Sequence, residues 1–169
     1  MNITTLGHAG LWIETKDLKV LCDPWHFKNP AFFNTWHVYP DNSNVDWDHI
    51  LEKTDIVFVS HVHNDHFDEK LLIKLLEKNK DVKVLLPDFR FGELKKHFQK
   101  IGYKNFIVKE YKKGDTIVVT YPSETIDRER EDSSICINDV NKTFLNFNDS
   151  TITPEHKDSI IKRFKNIDW

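Results

Sequence analysis

Cysteine is scarce in this chain. Cys22 and Cys136 are the only two, neither has a CxxC partner, and each lies in an apolar, strand-like run. Both therefore read as buried, reduced thiols. Long hydrophobic runs are missing too: no stretch approaches the roughly 18 apolar residues that span a bilayer. The opening MNITTLGHAGLWIET has no basic start, apolar run and small-residue cleavage site of the kind that makes a secretory signal. A soluble, cytoplasmic protein with no membrane partner is expected. Positive charge is not in excess either. The net charge is −3, with Lys, Asp and Glu mixed throughout, so no basic stripe is offered to a phosphate backbone and nucleic acid is not an expected partner.

What is present suits a compact fold. A chain of 169 residues is long enough for one domain with a core and too short for two ordinary ones, and 39% hydrophobic with 30% charged residues is a globular composition. Residues 1–169 are read as one domain.

Ile3 to Leu6, Leu11 to Glu14 and Lys19 to Cys22 predict a β-meander around Gly7, Gly10 and the polar turn 15–17. Residues 24–49 are crowded with aromatics, Pro and Asn without helix or strand periodicity, which predicts a long ordered loop. Such a loop is either a functional cover, a partner surface, or simply packed on the core. Trp25, Phe27, Phe32, Phe33 and Trp36 would then line a substrate mouth or a dimer contact. Asp55 to Ser60 reads as a strand buried on both faces, and Leu71, Leu72, Leu75 and Leu76 mark an amphipathic helix after it. Val82 to Leu86 is a second buried strand, and Phe91, Leu94, Phe98 and Ile101 mark a second helix. This stretch is α/β. Strands return at Phe106 to Val108, Thr116 to Tyr121, Ser134 to Asn138 and Thr143 to Asn148. Thr153-Pro154 then starts a helix with Ile160, Ile161 and Phe164 on its apolar face.

The chemistry concentrates in His61-Val62-His63-Asn64-Asp65-His66, between a buried strand and a helix. Side chains leaving strands at their carboxyl ends converge outside the sheet, where ligands gather. Imidazole and carboxylate together suit Zn, Fe or Mn, and three His with one Asp inside six residues surround an ion with little further ordering of the chain. His8, in a glycine turn, and His26, after Asp23-Pro24-Trp25, are candidates to face the same mouth, as is His37 in the aromatic loop. His49, His97 and His156 read as solvent-facing.

Ser60-His61-Val62-His63-Asn64-Asp65-His66-Phe67-Asp68 resembles, residue for residue, the HxHxDH signature of the metallo-β-lactamase superfamily. Gly7-His8-Ala9-Gly10 and Leu21-Cys22-Asp23-Pro24-Trp25 resemble segments that open the branch containing the ascorbate-phosphate lactonase type. Phe144 to Asp149 resembles the later strand whose terminal Asp bridges two metals. The runs DSSICIND and TFLNFNDS, followed by a helix, resemble the metallo-β-lactamase-like portion of CMP-N-acetylneuraminate hydroxylases and related bacterial proteins of sugar metabolism.

The resemblance implies an αββα sandwich of two mixed sheets faced by helices. It assigns His61 and His63 to one metal, Asp65 and His66 to a second, and Asp149 to both, with Asp65 also the candidate catalytic residue. Asp23 would hold the HxHxDH loop by hydrogen bonds. Up to two ions are implied, Zn with Fe or Mn as alternatives, and two ions together suit hydrolysis at neutral pH. The chain also departs from the family's pattern. No His occurs between His97 and His156, where another ligand would fall. Glu124, Asp127 or Glu129 could substitute there as an oxygen ligand, or belong to a solvated charged loop. The family's last His follows a helix like the one ending near Phe164, so the C-terminal strands of the sandwich are expected to be missing. The expected activity is metal-dependent hydrolysis of a small-molecule ester, lactone or phosphate. The alternatives are a di-iron oxidoreductase related to CMP-sialic acid hydroxylases and a non-catalytic binding domain. A homodimer is the expected companion of an incomplete site.

Overall fold

The computed structural model describes residues 1–123, 131–164 and 166–169. Strands β1 (Asn2–Thr5), β2 (Leu11–Glu14) and β3 (Lys19–Cys22) pair antiparallel, with Ile13 opposite Val20. Strands β4 (Ile56–Phe58), β5 (Lys83–Leu86) and β6 (Phe106–Val108) add to β3 in parallel, giving a six-stranded sheet in chain order. A second sheet holds β7 (Glu110–Lys113), β8 (Thr116–Pro122), β9 (Ser133–Asn138) and β10 (Thr143–Asn146), antiparallel in the order β10-β9-β8-β7.

The two-residue period of a strand sorts these side chains into layers. Ile13, Val20, Ile56, Phe58 and Leu85 point from the first sheet toward Val118, Ile135, Ile137 and Phe144 of the second. Their neighbours Trp12, Leu21, Val57 and Val84 point the other way. Onto them pack α1 (Trp47–Lys53), α2 (Glu69–Lys78) and α3 (Glu93–Lys100), through Leu51, Leu72, Leu75 and Phe98. On the far side of the second sheet, α4 (Pro154–Phe164) lays Ile160 and Phe164 against Val119 and Cys136. Helices, sheet, sheet and helix follow one another, the sandwich that the motifs imply. Both cysteines are buried and free, and burial raises the pKa of each, that of Cys136 to about 12. No helix among the described residues is long and apolar enough to cross a membrane.

The structure differs from the sequence reading in places: α3 starts at Glu93 and leaves Phe91 outside it, and β10 ends at Asn146. The segment expected to be loop through residue 49 already turns helical at Trp47, where Asp46 caps α1 by accepting from the His49 amide. Strand β7 lies at a sheet edge and carries Glu110, Lys112 and Lys113, so it lacks the apolar alternation that marks a strand. Ile161 is about half exposed rather than part of the buried face of α4. After α4, the Leu145 amide donates to Trp169 O (3.0 Å) and the Trp169 amide reaches Thr143 O (3.4 Å), the pattern of a parallel pair along β10.

The segment between β3 and α1 is tied down at Asn42, which is buried. Its side-chain amide donates to Leu6 O (2.6 Å) and Trp25 O (2.8 Å), and its carbonyl accepts from the Phe27 amide (2.9 Å). Gly7 lies against the same segment. Its φ is +89°, and a Cβ there would sit 2.7 Å from Pro40 O, inside any tolerable contact with backbone. Gly7→Ala is expected to lose about 1–3 kcal/mol of stability, read as a lower denaturation midpoint in urea. An unchanged midpoint would mean that the loop moves aside freely.

Candidate metal centre

His8, His61, Asp65, His66 and Asp149 gather at one end of the sandwich. Strand β1 leads into Gly7 and His8, β3 into Asp23, and β4 into the loop 60–66, which closes on itself as the amides of His66 (3.0 Å) and Phe67 (2.7 Å) donate to His63 O. From the second sheet, β10 leads to Asp149, and Asp132 immediately precedes β9. Directly after the loop, Asp68 caps α2 by accepting from the Leu71 amide at 3.1 Å. It also holds the His26 amide (3.0 Å) and the Asn29 side chain (2.8 Å), which ties the aromatic loop to the metal loop.

One buried carboxylate organises the ligands. Asp23 Oδ1 accepts from the Ser60 amide at 2.7 Å and from the Ser60 hydroxyl at 3.0 Å. The same hydroxyl lies 2.9 Å from His61 Nδ1 and 3.3 Å from His66 Nδ1. A hydroxyl has one hydrogen and two lone pairs. Asp23 takes the hydrogen, so Ser60 accepts from both Nδ1 atoms. Both Nε2 atoms are thereby left as lone pairs, the form in which imidazole binds a metal. A Ser133 hydroxyl, donating to Ser60 O at 3.0 Å, fastens this hub to the second sheet.

The His61 lone pair accepts from His63 Nδ1, and that of His66 faces acids. His61 Nε2 is 2.8 Å from His63 Nδ1. His66 Nε2 is 3.6 Å from Asp149 Oδ2 and 3.7 Å from Asp65 Oδ2, and neither it nor Asp65 Oδ1 has a hydrogen-bond partner among the described residues although both are buried. Ligand atoms of His61, His66 and Asp149 come within 4.8 Å of one another, and so do those of His8, Asp65 and His66. A buried lone pair facing two carboxylates is unfavourable unless a cation lies among them, so the residues fit divalent metal.

Burial works against charging His66. The Asp23 carboxylate, 3.6 Å from its Nδ1, and the charges of Asp65 and Asp149 outweigh it and raise its pKa above the ordinary 6.5. His63 moves the other way, lowered first by burial and then by His61. A proton on His66 Nε2 competes with metal, so uptake by the apoprotein is expected to weaken as pH falls through the raised His66 value. Metal titrations across the neutral range check this, and equal affinity at both ends would remove His66 from the ligand set.

The remaining residues named from the sequence are placed as follows. His63 and Asp149 are exposed at the rim, while His61, Asp65 and His66 are buried. Trp25 is 1% exposed, packed with Ala31 and Val38, so it supports the mouth from beneath rather than lining it. His26 stacks on Phe27 and leans on Trp47, away from the ligands, because its Nδ1 accepts from the Lys28 amide. Trp36 packs on Phe32, whose ring comes 6.2 Å from that of His63. His37 is exposed in the same loop. His97 and His156, expected to face solvent, are half-buried, with His97 against Phe67 and His156 against Tyr121. Glu124, Asp127 and Glu129 lie outside the described residues. Two residues went unassigned in the sequence: Ser60, visible as the residue before the motif, and Asp132, whose Oδ1 is 3.5 Å from His61 Nδ1 and which carried no sequence signal.

A family model for the β-lactamase superfamily domain matches residues 2–126. The chain belongs to that superfamily. Among curated proteins, one from Mycolicibacterium smegmatis bearing the name of a Rieske 2Fe-2S iron–sulfur protein is 38% identical over 160 residues, covering 89% of this chain and 30% of its own length. The cytidine monophosphate-N-acetylneuraminic acid hydroxylase of Asterias rubens is 33% identical over 88 residues, covering 52% of this chain and 13% of that protein. The chain thus spans about a third of the length, or less, of the curated relatives it matches. Two solved structures share the metallo-β-lactamase fold. One, described as a possible metal-dependent hydrolase from Veillonella parvula, has a TM-score of 0.72 at 14% identity, over 96% of this chain and 68% of that one. The other is CmlA, a diiron β-hydroxylase from Streptomyces venezuelae, with a TM-score of 0.71 at 18% identity, over 98% of this chain and 33% of that one.

Proposed function

We propose that this superfamily member holds two divalent metal ions at the joined ends of its sheets and hydrolyses a small-molecule ester, lactone or phosphate. The observation that carries the reading is His66 Nε2, buried, unpartnered and facing the carboxylates of Asp65 and Asp149. His61 and His63 would hold one ion, Asp65 and His66 the other, with Asp149 shared. A bound pair of ions lowers the pKa of water and clamps the oxygens of a scissile bond. The protein's own part is to fix the imidazoles through Ser60 and Asp23 and to admit substrate. A cleft of about 400 Å³ lined by His8, Ala9, Leu11, Asn146, Asn148 and Asp149 opens beside the ligands and is of a size for a small polar molecule.

A second reading is favoured by the relatives. A Rieske-named protein, sialic acid hydroxylases and a diiron β-hydroxylase are all similar to this chain. On that reading the site takes iron and serves oxygen-dependent hydroxylation within a longer protein. Purification without oxygen, followed by elemental analysis and assays on p-nitrophenyl esters, phosphate esters and lactones, separates the two. Zinc or manganese with turnover supports hydrolysis. Iron with no turnover on any of these substrates supports the second reading. Protein that takes up neither in stoichiometric amount defeats both.

A further inference from the structure

His8 is a residue whose backbone is held in an unusual state to bring its ring into the site. Its φ is +50°, a left-handed conformation that non-glycine residues seldom adopt. The surroundings over-determine that conformation. The His8 amide donates to Tyr39 O at 2.9 Å, and the imidazole packs edge-to-face with buried Trp25, with centroids 5.2 Å apart at 83°. The ring so fixed lies 5.3 Å from the ring of His66, and its Nε2 is 2.9 Å from Asp65 Oδ2.

We infer that His8 is a direct ligand of the ion held by Asp65 and His66, an inference that rests on the two-metal reading above. The ligand atoms of His8, Asp65 and His66 all lie within 4.8 Å of one another. A separation of 2.9 Å between His8 Nε2 and the Asp65 oxygen is close to the roughly 3.0 Å between two donors set at a right angle, each about 2.1 Å from a common ion. The Ser60 hydroxyl leaves His66 Nε2 as a lone pair, and Asp65 Oδ1 is buried without a partner. The donor count agrees. Asp65, His66 and a shared Asp149 give that ion three protein ligands, and His8 makes four, which leaves two open positions on an octahedral ion. With His8 in place, the second ion no longer depends on Asp149 alone to hold it beyond the HxHxDH loop. The competing role is for His8 to donate its Nε2 hydrogen to Asp65 and stay off the metal.

Cobalt(II) titration of the apoprotein, followed by visible absorption and equilibrium dialysis, decides between them. His8→Gly suits the positive φ and removes the imidazole, and His8→Asn keeps the left-handed backbone with a poorer donor. The wild type should take two equivalents. Both variants should take one with unchanged affinity and bind the second at least about tenfold more weakly. Added imidazole should restore the second equivalent and its absorption band in His8→Gly. If both variants bind two equivalents with wild-type affinity and spectrum, His8 is not a ligand, while the two-metal reading stands. If the wild type itself binds no cobalt, both fall.

Discussion

The His61→Ala/His63→Ala double variant should purify without stoichiometric metal while keeping its secondary structure. The two rings meet with His61 Nε2 2.8 Å from His63 Nδ1, so one ion's imidazole ligands are removed together. Asp149, whose side chain is 66% exposed, remains, and a solvated carboxylate alone binds weakly. The loss spreads to the second position. Asp149 then no longer has an ion on one side to fix it opposite His66. Elemental analysis beside far-ultraviolet circular dichroism reads both quantities. Wild-type metal content in a folded double variant would mean that the loop 61–66 is not the site.

Asp23→Asn should reduce metal affinity by about 10- to 100-fold, the usual effect of losing a group that orients ligands without touching metal. Asparagine keeps a carbonyl for the Ser60 amide and hydroxyl, now held at 2.7 and 3.0 Å. It lacks the charge that favours hydrogen on His66 Nδ1, and it buries an NH₂ where Asp23 Oδ2 already has no partner. Both changes loosen the arrangement that leaves the Nε2 atoms free. The buried, unsatisfied donor should also lower stability by about 1–3 kcal/mol. Competition against a chelator of known affinity measures the first effect and urea denaturation the second. Undiminished affinity would show that Ser60 alone sets the imidazoles.

The layers of the fold were legible because their signal is periodic. Ile56 and Phe58 alternate with Val57 across a strand covered on both faces, and Leu71, Leu72 and Leu75 share one side of a helix. Helix α1 was hidden because seven residues give only Trp47, Ile50 and Leu51 as an apolar stripe, at the end of a segment already rich in aromatics. The HxHxDH loop was legible because its four candidate ligands fall within six residues. What joins it to the rest was legible only through the resemblance, which named Asp23 and Asp149 and left out Asp132. His8, Asp23, Asp132 and Asp149 meet it only because strand ends from two sheets come together, and spacing along the chain carries no trace of that. Trp25 illustrates the opposite failure. An aromatic beside a motif reads as part of a mouth, yet the room beneath His8 had to be filled, and Trp25 fills it.

The three hydrogen bonds of the Asn42 side chain tie Leu6, Trp25 and Phe27 to one residue. To expose the Phe27 amide to solvent deuterium, the Asn42 side chain must let go, and that releases Leu6 O and Trp25 O in the same event. Opening there is cooperative rather than a fraying of separate turns. Proteases that cut extended, mobile chain should therefore spare the anchored ends of this segment around Trp25, Phe27 and Asn42, and the floor beneath His8 should keep its shape between one binding event and the next.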